Sequence, residues 1–201
     1  MVDIGRQVIA NWPNVPDCYG WLGLDARGNW YMRDDNAQAA GPFALPDGSS
    51  GSAASKGSRL LHDKLIDFIQ RNYESDARGR WFFQNGPQRV YVGLQATPFI
   101  WRIDAGPGFA VTAHTGQPAR VQRCVVDEAG RLYLETDLGF GLIHTKDMLQ
   151  AADAIQQGLG VVQEQPAAAL PTPLKYMRGR RSLQKGDLPV HAPPDTKSMF
   201  S

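Results

Sequence analysis

The stretch Asp76-Ala77-Arg78-Gly79-Arg80-Trp81-Phe82 joins a tight turn to the start of a β-strand. An Asp side chain favours the first position of a turn, and Gly takes the left-handed conformation that closes it. The same pattern recurs without gaps at residues 25–31 (DARGNWY) and 127–133 (DEAGRLY), at equal spacings of 51 residues. This repeat predicts a duplicated module, although three unrelated hairpins with the same turn chemistry would give the same pattern.

Residues 80–143 predict nearly continuous β structure, because short apolar and aromatic runs alternate with turns that contain Gly, Pro and Asn. Two stretches follow a helical apolar period: residues 58–73, capped by Ser58, and a later helix that is capped by Thr145. The predicted fold class is α+β. We expect two related antiparallel β units, built as partly open barrels or curved sheets, each closed by a helix.

The predicted domain organisation has four parts. Residues 1–17 form an N-terminal helix, residues 18–79 a first unit of β-hairpin and helix, and residues 80–160 a second, mainly β unit with its closing helix. Within the first unit, residues 36–56 are rich in Gly, Ala, Ser and Pro and predict a flexible loop. The Pro-rich, basic residues 161–201 predict a disordered tail.

Charge and composition exclude several functional classes. The 201 residues carry a net charge of +1, which combines −2 for residues 1–162 with +3 for residues 163–201. So small a charge does not steer a polyanion, so we expect no specific nucleic-acid partner. No apolar run approaches the roughly 20 residues of a membrane span, and no secretory signal pattern is visible. With two cysteines in the chain, we expect a cytoplasmic protein with reduced thiols.

The sequence contains none of the nucleophile-elbow, phosphate-loop, H-E-x-x-H or C-x-x-C motifs. His114 and His144 follow predicted strands and could converge with Cys18 or Cys124 on zinc, but their spacing is not that of a metal site. Both cysteines lie in apolar strands, where buried, unreactive thiols are expected. We therefore predict no metal, no cofactor and no catalytic residue.

The most distinctive short stretch of sequence is the predicted turn at residues 85–89, which lies between two strands rich in aromatic residues. A tight hairpin explains it; alternatively, the turn presents Gln88 and Arg89 to a ligand beside aromatic walls. Together with three residues of the second unit, these two are the candidate binding residues: Gln88, Arg89, Trp101, His114 and His144.

The order of these features resembles that of uncharacterised proteobacterial families of unknown function. The resemblance covers about residues 18–158 and is greatest to a family whose fold pairs two pleckstrin-homology-like β units. It depends on the following elements: Asp25-x-x-Gly28-x-Trp30, the helix near residues 60–73, Trp81-Phe82-Phe83, Thr97-Pro98-Phe99 and Asp127-x-x-Gly130-x-Leu132-Tyr133. It implies a binding or signalling role in a bacterial protein and supplies no catalytic residue.

Three functional hypotheses remain open at this point. The first is a non-enzymatic binding or regulatory module for a peptide or small ligand, using a strand edge or the cleft between units. The second is a small-molecule enzyme that uses residues near His114, His144 and Arg89. The third is a protein that docks on its partner through the basic tail. The sequence indicates neither the ligand nor the oligomeric state.

Overall fold

The computed structural model describes residues 15–158 and 161–171 and shows two β-sheets with few helices. The first sheet contains six strands: β1 (Cys18–Leu24), β2 (Trp30–Met32), β3 (Ser58–Arg59), β4 (Tyr73–Ser75), β5 (Trp81–Asn85) and β6 (Gln88–Leu94). The second contains seven: β7 (Phe99–Ile103), β8 (Val111–Ala113), β9 (Pro118–Ala119), β10 (Val121–Val126), β11 (Leu132–Thr136), β12 (Gly139–Ile143) and β13 (Val162–Glu164). The α+β class with two β units is therefore confirmed.

The two sheets have the same strand order. The first runs β3-β2-β1-β6-β5-β4, and the second runs β9-β8-β7-β12-β11-β10, with β13 added beyond β10. In each sheet the central pair is parallel, β1 with β6 and β7 with β12. The expectation of purely antiparallel units is therefore wrong. The partners of each parallel pair are distant in sequence, and local turn signals carry no information on such pairings.

The division between the sheets falls between Leu94 and Phe99, since β5 and β6 belong to the first sheet. The sequence pattern instead predicts that the first unit ends at residue 79 and the second begins at residue 80. That position lies inside the hairpin β4–β5, where Ser75 pairs with Trp81. A repeated turn identifies a hairpin, but it does not show which sheet the hairpin joins.

The three repeated turns share one hydrogen-bond pattern. One carboxylate oxygen of each Asp accepts bonds of 2.8–3.0 Å from the main-chain N–H groups two and four residues later. The Gly N–H donates to the Asp carbonyl, and each Gly has a positive φ of 74–79°. The motif found in the sequence is therefore one turn structure that is formed three times.

The other carboxylate oxygen binds one side chain of the turn and one tyrosine hydroxyl. In the first and third turns the tyrosine lies six residues after the Asp, at 3.1–3.3 Å. In the second turn that position is Phe82, which has no hydroxyl group. Tyr91, the residue opposite Phe82 on β6, donates to Asp76 instead, at 3.1 Å. The missing hydroxyl is therefore replaced from the neighbouring strand.

The segment between β2 and β3, which composition predicts as a flexible loop, is folded. It contains helices α1 (Asp35–Ala39) and α2 (Ala53–Lys56), each with a side-chain N-cap, from Asp34 and Ser52 respectively. Phe43 is buried, and its ring lies where a Cβ on Gly23 would overlap it. Small residues thus allow the segment to lie close to the first sheet.

Helix α3 (Asp63–Arg71) is shorter than predicted, because Ser58 and Arg59 pair with β2 instead of starting the helix. The N-cap is His62, whose Nδ1 accepts from the Leu65 N–H at 3.3 Å. Helix α4 (Met148–Gln156) follows a 3₁₀ turn over Thr145–Asp147 rather than a Thr145 cap. Each helix packs on one sheet, α3 on the first and α4 on the second.

Part of the predicted tail is also folded. Strand β13 pairs in parallel with β10, and a 3₁₀ turn over Ala167–Ala169 leads to the buried Leu170. The rest of the basic tail, residues 172–201, and residues 1–14 of the N-terminal helix predicted over residues 1–17 lie outside the described residues. Within residues 15–158 and 161–171, no helix is long and apolar enough to cross a bilayer.

The repeated turns predict a pH-dependent contribution to stability. Burial raises the pKa of Asp127, but hydrogen bonds from the main chain and guanidinium of Arg131 outweigh it and hold that pKa below its usual value. We expect Asp127→Asn to lower the free energy of unfolding at pH 7 by about 2 kcal/mol, since charge-assisted bonds to a buried carboxylate are lost. Urea denaturation measures the change.

Because the folded-state pKa is lowered, this stabilisation is fully present above the unfolded pKa of about 4 and is lost as the pH falls through the folded value. The difference between the unaltered protein and Asp127→Asn should therefore narrow in acid. Asp153→Asn, on the exposed side of α4, serves as the control and should change stability by less than about 0.5 kcal/mol. A difference independent of pH from 7 to 3 would contradict this account.

Candidate functional site

The five candidate binding residues fall into two groups. Gln88 and Arg89 lie on β6 of the first sheet, where the Gln88 Nε2 donates to the Pro16 carbonyl at 3.1 Å. The Arg89 guanidinium lies over the Phe82 ring, 4.8 Å from its centroid. Both side chains thus have local structural contacts beside the β5–β6 turn.

The other three candidates surround β7 in the second sheet. Trp101 is fully buried in β7, and its Nε1 donates to the Leu134 carbonyl at 3.2 Å. The main-chain N–H groups of His114 and His144 donate to the carbonyls of Ile100 and Trp101. The His144 Nδ1 accepts from the Lys146 N–H and caps the 3₁₀ turn. The structure brings these three residues near one strand but leaves Gln88 and Arg89 in the other sheet.

His114 lies where the two sheets meet. Its ring packs against those of Trp30, Tyr73 and Phe99, and its carbonyl accepts a bond from Gln70 Nε2 at 2.9 Å. Burial lowers the pKa of His114 to about 3. The imidazole is therefore neutral near pH 7 and contributes to the packing between the sheets.

A cavity of about 120 Å³ lies on the face of the first sheet opposite α3, under the segment between β2 and β3. Its lining is mostly apolar and aromatic, with two arginines and two tyrosine hydroxyls. The residues are Tyr19, Gly20, Arg33, Pro42, Phe43, Ala44, Arg80, Trp81, Tyr91, Val92, Gly93 and Leu94. We call it the arginine cavity.

Arg80 connects the second repeated turn to the arginine cavity. Its Nε donates to Asp76 at 2.7 Å, and its terminal nitrogens donate to the hydroxyls of Tyr19 at 3.3 Å and Tyr91 at 3.1 Å. The two tyrosine rings stack in parallel with centroids 4.6 Å apart. Burial raises the pKa of Tyr91, so its hydroxyl stays protonated and donates to Asp76.

Arg33 supplies the other guanidinium of the wall and is only 5% exposed. Its Nε donates to the Ser55 carbonyl at 2.7 Å, and its terminal nitrogens donate to the carbonyls of Gly20, Ala37 and Gly41. These bonds join β1 to both short helices of the covering segment. They hold the guanidinium in place before any ligand arrives.

Sequence reasoning missed the arginine cavity. The repeat marks Arg80 only as a polar residue that follows the Gly. Arg33 lies just before the segment that composition predicts as a loop, and Phe43 lies within it. The available signal was an Arg beside a repeated Asp in a stretch that also holds aromatic residues, since such pairs place a charge at a fixed position. That signal gives no indication of what covers the sheet.

The described residues offer little support for metal or thiol chemistry. Within residues 15–158 and 161–171, no group of three or more His, Cys, Asp or Glu side chains could hold a metal ion. Burial raises the pKa of the Cys18 thiol and of the Cys124 thiol, which disfavours the reactive thiolate at both. The expectation of unreactive thiols agrees with these directions.

Comparisons with known proteins give a family but no activity. A family model described as "Protein of unknown function (DUF2946)" matches residues 1–190. No curated protein matches the chain. Among solved structures, the crystal structure of a DUF1285 family protein from Silicibacter pomeroyi DSS-3 is 17% identical; the match covers 72% of this chain and 74% of that chain, with a TM-score of 0.44. Neither description names a ligand or reaction.

The position of His114 gives a second testable prediction. Unfolded His takes up a proton near pH 6.5, whereas folded His114 does so only near pH 3. The contribution of neutral His114 to stability is thus complete above about pH 6.5 and is lost as the pH falls towards 3. We expect His114→Asn, which keeps an acceptor for the Ile100 N–H, to remove this part of the pH dependence.

Urea denaturation at several pH values between 8 and 4 measures the effect. Gln156→Asn, on the exposed side of α4, changes no group that titrates between pH 8 and 4, and this control should keep the slope of the unaltered protein. An imidazole NMR signal of His114 that titrates near pH 6.5 in the folded protein would contradict the buried, neutral assignment.

Proposed function

The chain belongs to the family of unknown function whose model matches residues 1–190, and we propose that it is a non-enzymatic module that binds a small anionic ligand with a flat, apolar group. The observation that carries this proposal is the lining of the arginine cavity. It includes two fixed arginines, Arg33 and Arg80, together with the aromatic residues Tyr19, Phe43 and Tyr91, and the Arg80 guanidinium lies 4.6 Å from the centroid of the Tyr91 ring. Concave, largely apolar sites with a few fixed polar groups are typical of small-molecule binding.

The size of the arginine cavity favours a small ligand over a peptide. Its volume is about 120 Å³, and an apolar cavity of about 150 Å³ in another protein accommodates benzene. The space therefore holds no more of a ligand than about one six-membered ring. A peptide, which must place several side chains and its main chain, would need a longer groove.

The charge of the wall favours an anion. The described lining residues include two arginines and no acidic residue. The positive charge of a guanidinium attracts a carboxylate, and a charge-assisted hydrogen bond to it is stronger than a neutral one. Asp76 offsets part of the charge of Arg80, but it also holds that guanidinium still. The Tyr19 hydroxyl accepts from Arg80, and a hydroxyl that accepts one bond can still donate its hydrogen to a ligand oxygen.

The placement of the sequence candidates gives the enzyme hypothesis little support. Arg89 contacts Phe82, His114 packs between the sheets, and His144 caps a turn. These three residues have different neighbours, whereas a catalytic site needs polar groups that converge on one point. Docking through the tail concerns residues that lie mostly outside the described part of the chain.

The repeated strand order supports the duplication that the sequence pattern predicts. The strands β4, β5 and β6 correspond to β10, β11 and β12 when residue numbers are shifted by 51. The first turns then align, residues 76–79 with 127–130, and so do the second turns, residues 85–88 with 136–139. We propose that the two units arose from one ancestral unit. Their pleckstrin-homology-like character stays a prediction from the family resemblance.

Titration with benzoate tests the proposed ligand class. We expect saturable binding of benzoate, with benzyl alcohol, its uncharged analogue, binding at least about tenfold more weakly because the charge-assisted bonds are lost. Chemical shifts of the Gly20 and Gly93 amides in the cavity wall locate the site. Equal affinity for both compounds, or shifts confined to the second sheet, would contradict the proposal.

A matched pair of variants tests the location. Ala44→Leu adds a larger side chain to the cavity lining and should abolish benzoate binding, whereas Ala39→Leu adds the same group on the exposed side of α1 and should leave it unchanged. Circular dichroism confirms that both variants are folded. Benzoate affinity that is the same in both variants would place the ligand elsewhere.

A further inference from the structure

A second cavity lies between the second sheet and α4 and has a volume of about 270 Å³. Every described residue that lines it is apolar, a glycine or the buried thiol. The residues are Ile103, Gly108, Phe109, Ala110, Val111, Ala119, Val121, Cys124, Leu134, Ile143, Ala151, Ala154 and Ile155. We call it the apolar cavity. Since it has no charged lining residue among those described, it differs in chemistry from the arginine cavity.

Comparison across the repeat shows that the shared topology does not require this cavity. Leu134 and Phe83 are equivalent at the 51-residue offset, and so are Ile143 and Val92. The corresponding face of the first unit packs against leucine and isoleucine side chains of α3: Leu65, Ile66 and Ile69. In the second unit, α4 instead presents Ala151, Ala154 and Ile155 to the cavity, so two of its three lining side chains are alanines. The small side chains of α4 therefore leave space that α3 fills.

The apolar cavity reaches the protein surface at the loop between β7 and β8. Gly108 and Ala110 of this loop are exposed, and so is Val121 at the start of β10. Between the two loop residues, Phe109 has a φ of +47° and is the only described residue other than Gly with a positive φ. This conformation is strained for a bulky side chain and is over-represented at ligand sites. Phe109 packs against the core of the second sheet and also lines the cavity.

We propose that the apolar cavity binds the unbranched alkyl chain of a ligand whose polar end stays at the surface beside Gly108 and Val121. A cavity of about 150 Å³ holds the six carbon atoms of benzene, so the same ratio gives about ten non-hydrogen atoms here. An apolar lining offers water no hydrogen-bond partners, which favours a hydrocarbon over water. Burial raises the pKa of Cys124, so the thiol in the lining is also uncharged.

This inference does not depend on the arginine cavity, which lies on the first sheet. The two sites take ligands of different chemistry, and each has its own probe. Loss of benzoate binding in Ala44→Leu with unchanged alcohol binding would separate them. Failure of one proposal therefore leaves the other to be judged by its own experiment.

A series of linear alcohols from 1-butanol to 1-dodecanol tests the alkyl site on the unaltered protein. Each buried methylene group should strengthen binding about fourfold, and the gain should stop when the chain reaches about ten non-hydrogen atoms. Calorimetry gives the dissociation constants, and methyl NMR signals of Ile103, Leu134 and Ile143 locate the site. Affinity that does not depend on chain length, or shifts outside these methyl groups, would overturn the proposal.

Two variants test the location. Ala154→Leu fills part of the cavity and should weaken 1-octanol binding at least tenfold, whereas Ala152→Leu, on the exposed face of the same helix, should not change it. Equal binding by the two variants would overturn the assignment. If Ala154→Leu fails to fold, the chain-length series on the unaltered protein decides the question.

The alkyl chain could belong to a free molecule or to a membrane lipid. Sedimentation with phosphatidylcholine vesicles distinguishes these two sources. Co-sedimentation that is lost in Ala154→Leu but kept in Ala152→Leu identifies a bilayer acyl chain. Octanol binding without co-sedimentation identifies a free alkyl ligand. Co-sedimentation that is equal in both variants, together with no octanol binding, would overturn the proposal.

Discussion

The buried carboxylate of the repeated turn is the interaction on which the rest of the structure depends. Asp25, Asp76 and Asp127 each connect two strands, and each satisfies main-chain N–H groups that the turn would otherwise leave without partners. The turn at Asp25 also lies against His114, because a Cβ on its Gly would come within 2.9 Å of the His114 Cβ. The turn at Asp76 positions Arg80 in the arginine cavity. The Asp carboxylate of the repeated turn therefore stabilises the hairpins and fixes residues at the junction between the sheets and at the candidate site.

This dependence explains which features could be predicted from the sequence. The turns were predictable because their determinants, Asp, Gly and a following aromatic residue, lie within seven positions of each other. The parallel pairing of β1 with β6 was not, because it joins residues about 70 positions apart and has no local signature. The covering segment was misassigned for a related reason. Its small residues are typical of loops, but here Gly51 lets the segment fold closely on itself, and Gly23 of β1 leaves space for the Phe43 ring.

The candidate binding residues illustrate the same limit. Trp101 and His114 are candidates because large aromatic side chains and titratable side chains often occur in binding sites. Side chains of both kinds are equally suited to buried packing. Only the neighbours of a residue distinguish these roles. Arg80 was visible in the repeat, but its role depends on Tyr19 and Tyr91, which reach it from β1 and β6. A repeat identifies residues that share a turn, whereas the role of each copy depends on neighbours that lie outside the repeat.

The two units place their cavities on opposite faces of the same topology. In the first unit α3 fills one face, and the long segment between β2 and β3 covers the other while leaving the arginine cavity beneath it. In the second unit the connection between β8 and β9 is short and consists of residues 114–117. The face of the second sheet that corresponds to the covered face of the first is instead packed by Leu170, which lies beside Tyr133 and Phe140. The space lies instead under the alanines of α4. Each cavity also contains an energetically unfavourable feature. In the arginine cavity it is the buried guanidinium of Arg33, and in the apolar cavity it is the positive φ of Phe109. Such features reduce stability and persist where the surrounding structure fixes them, which is typical of binding sites.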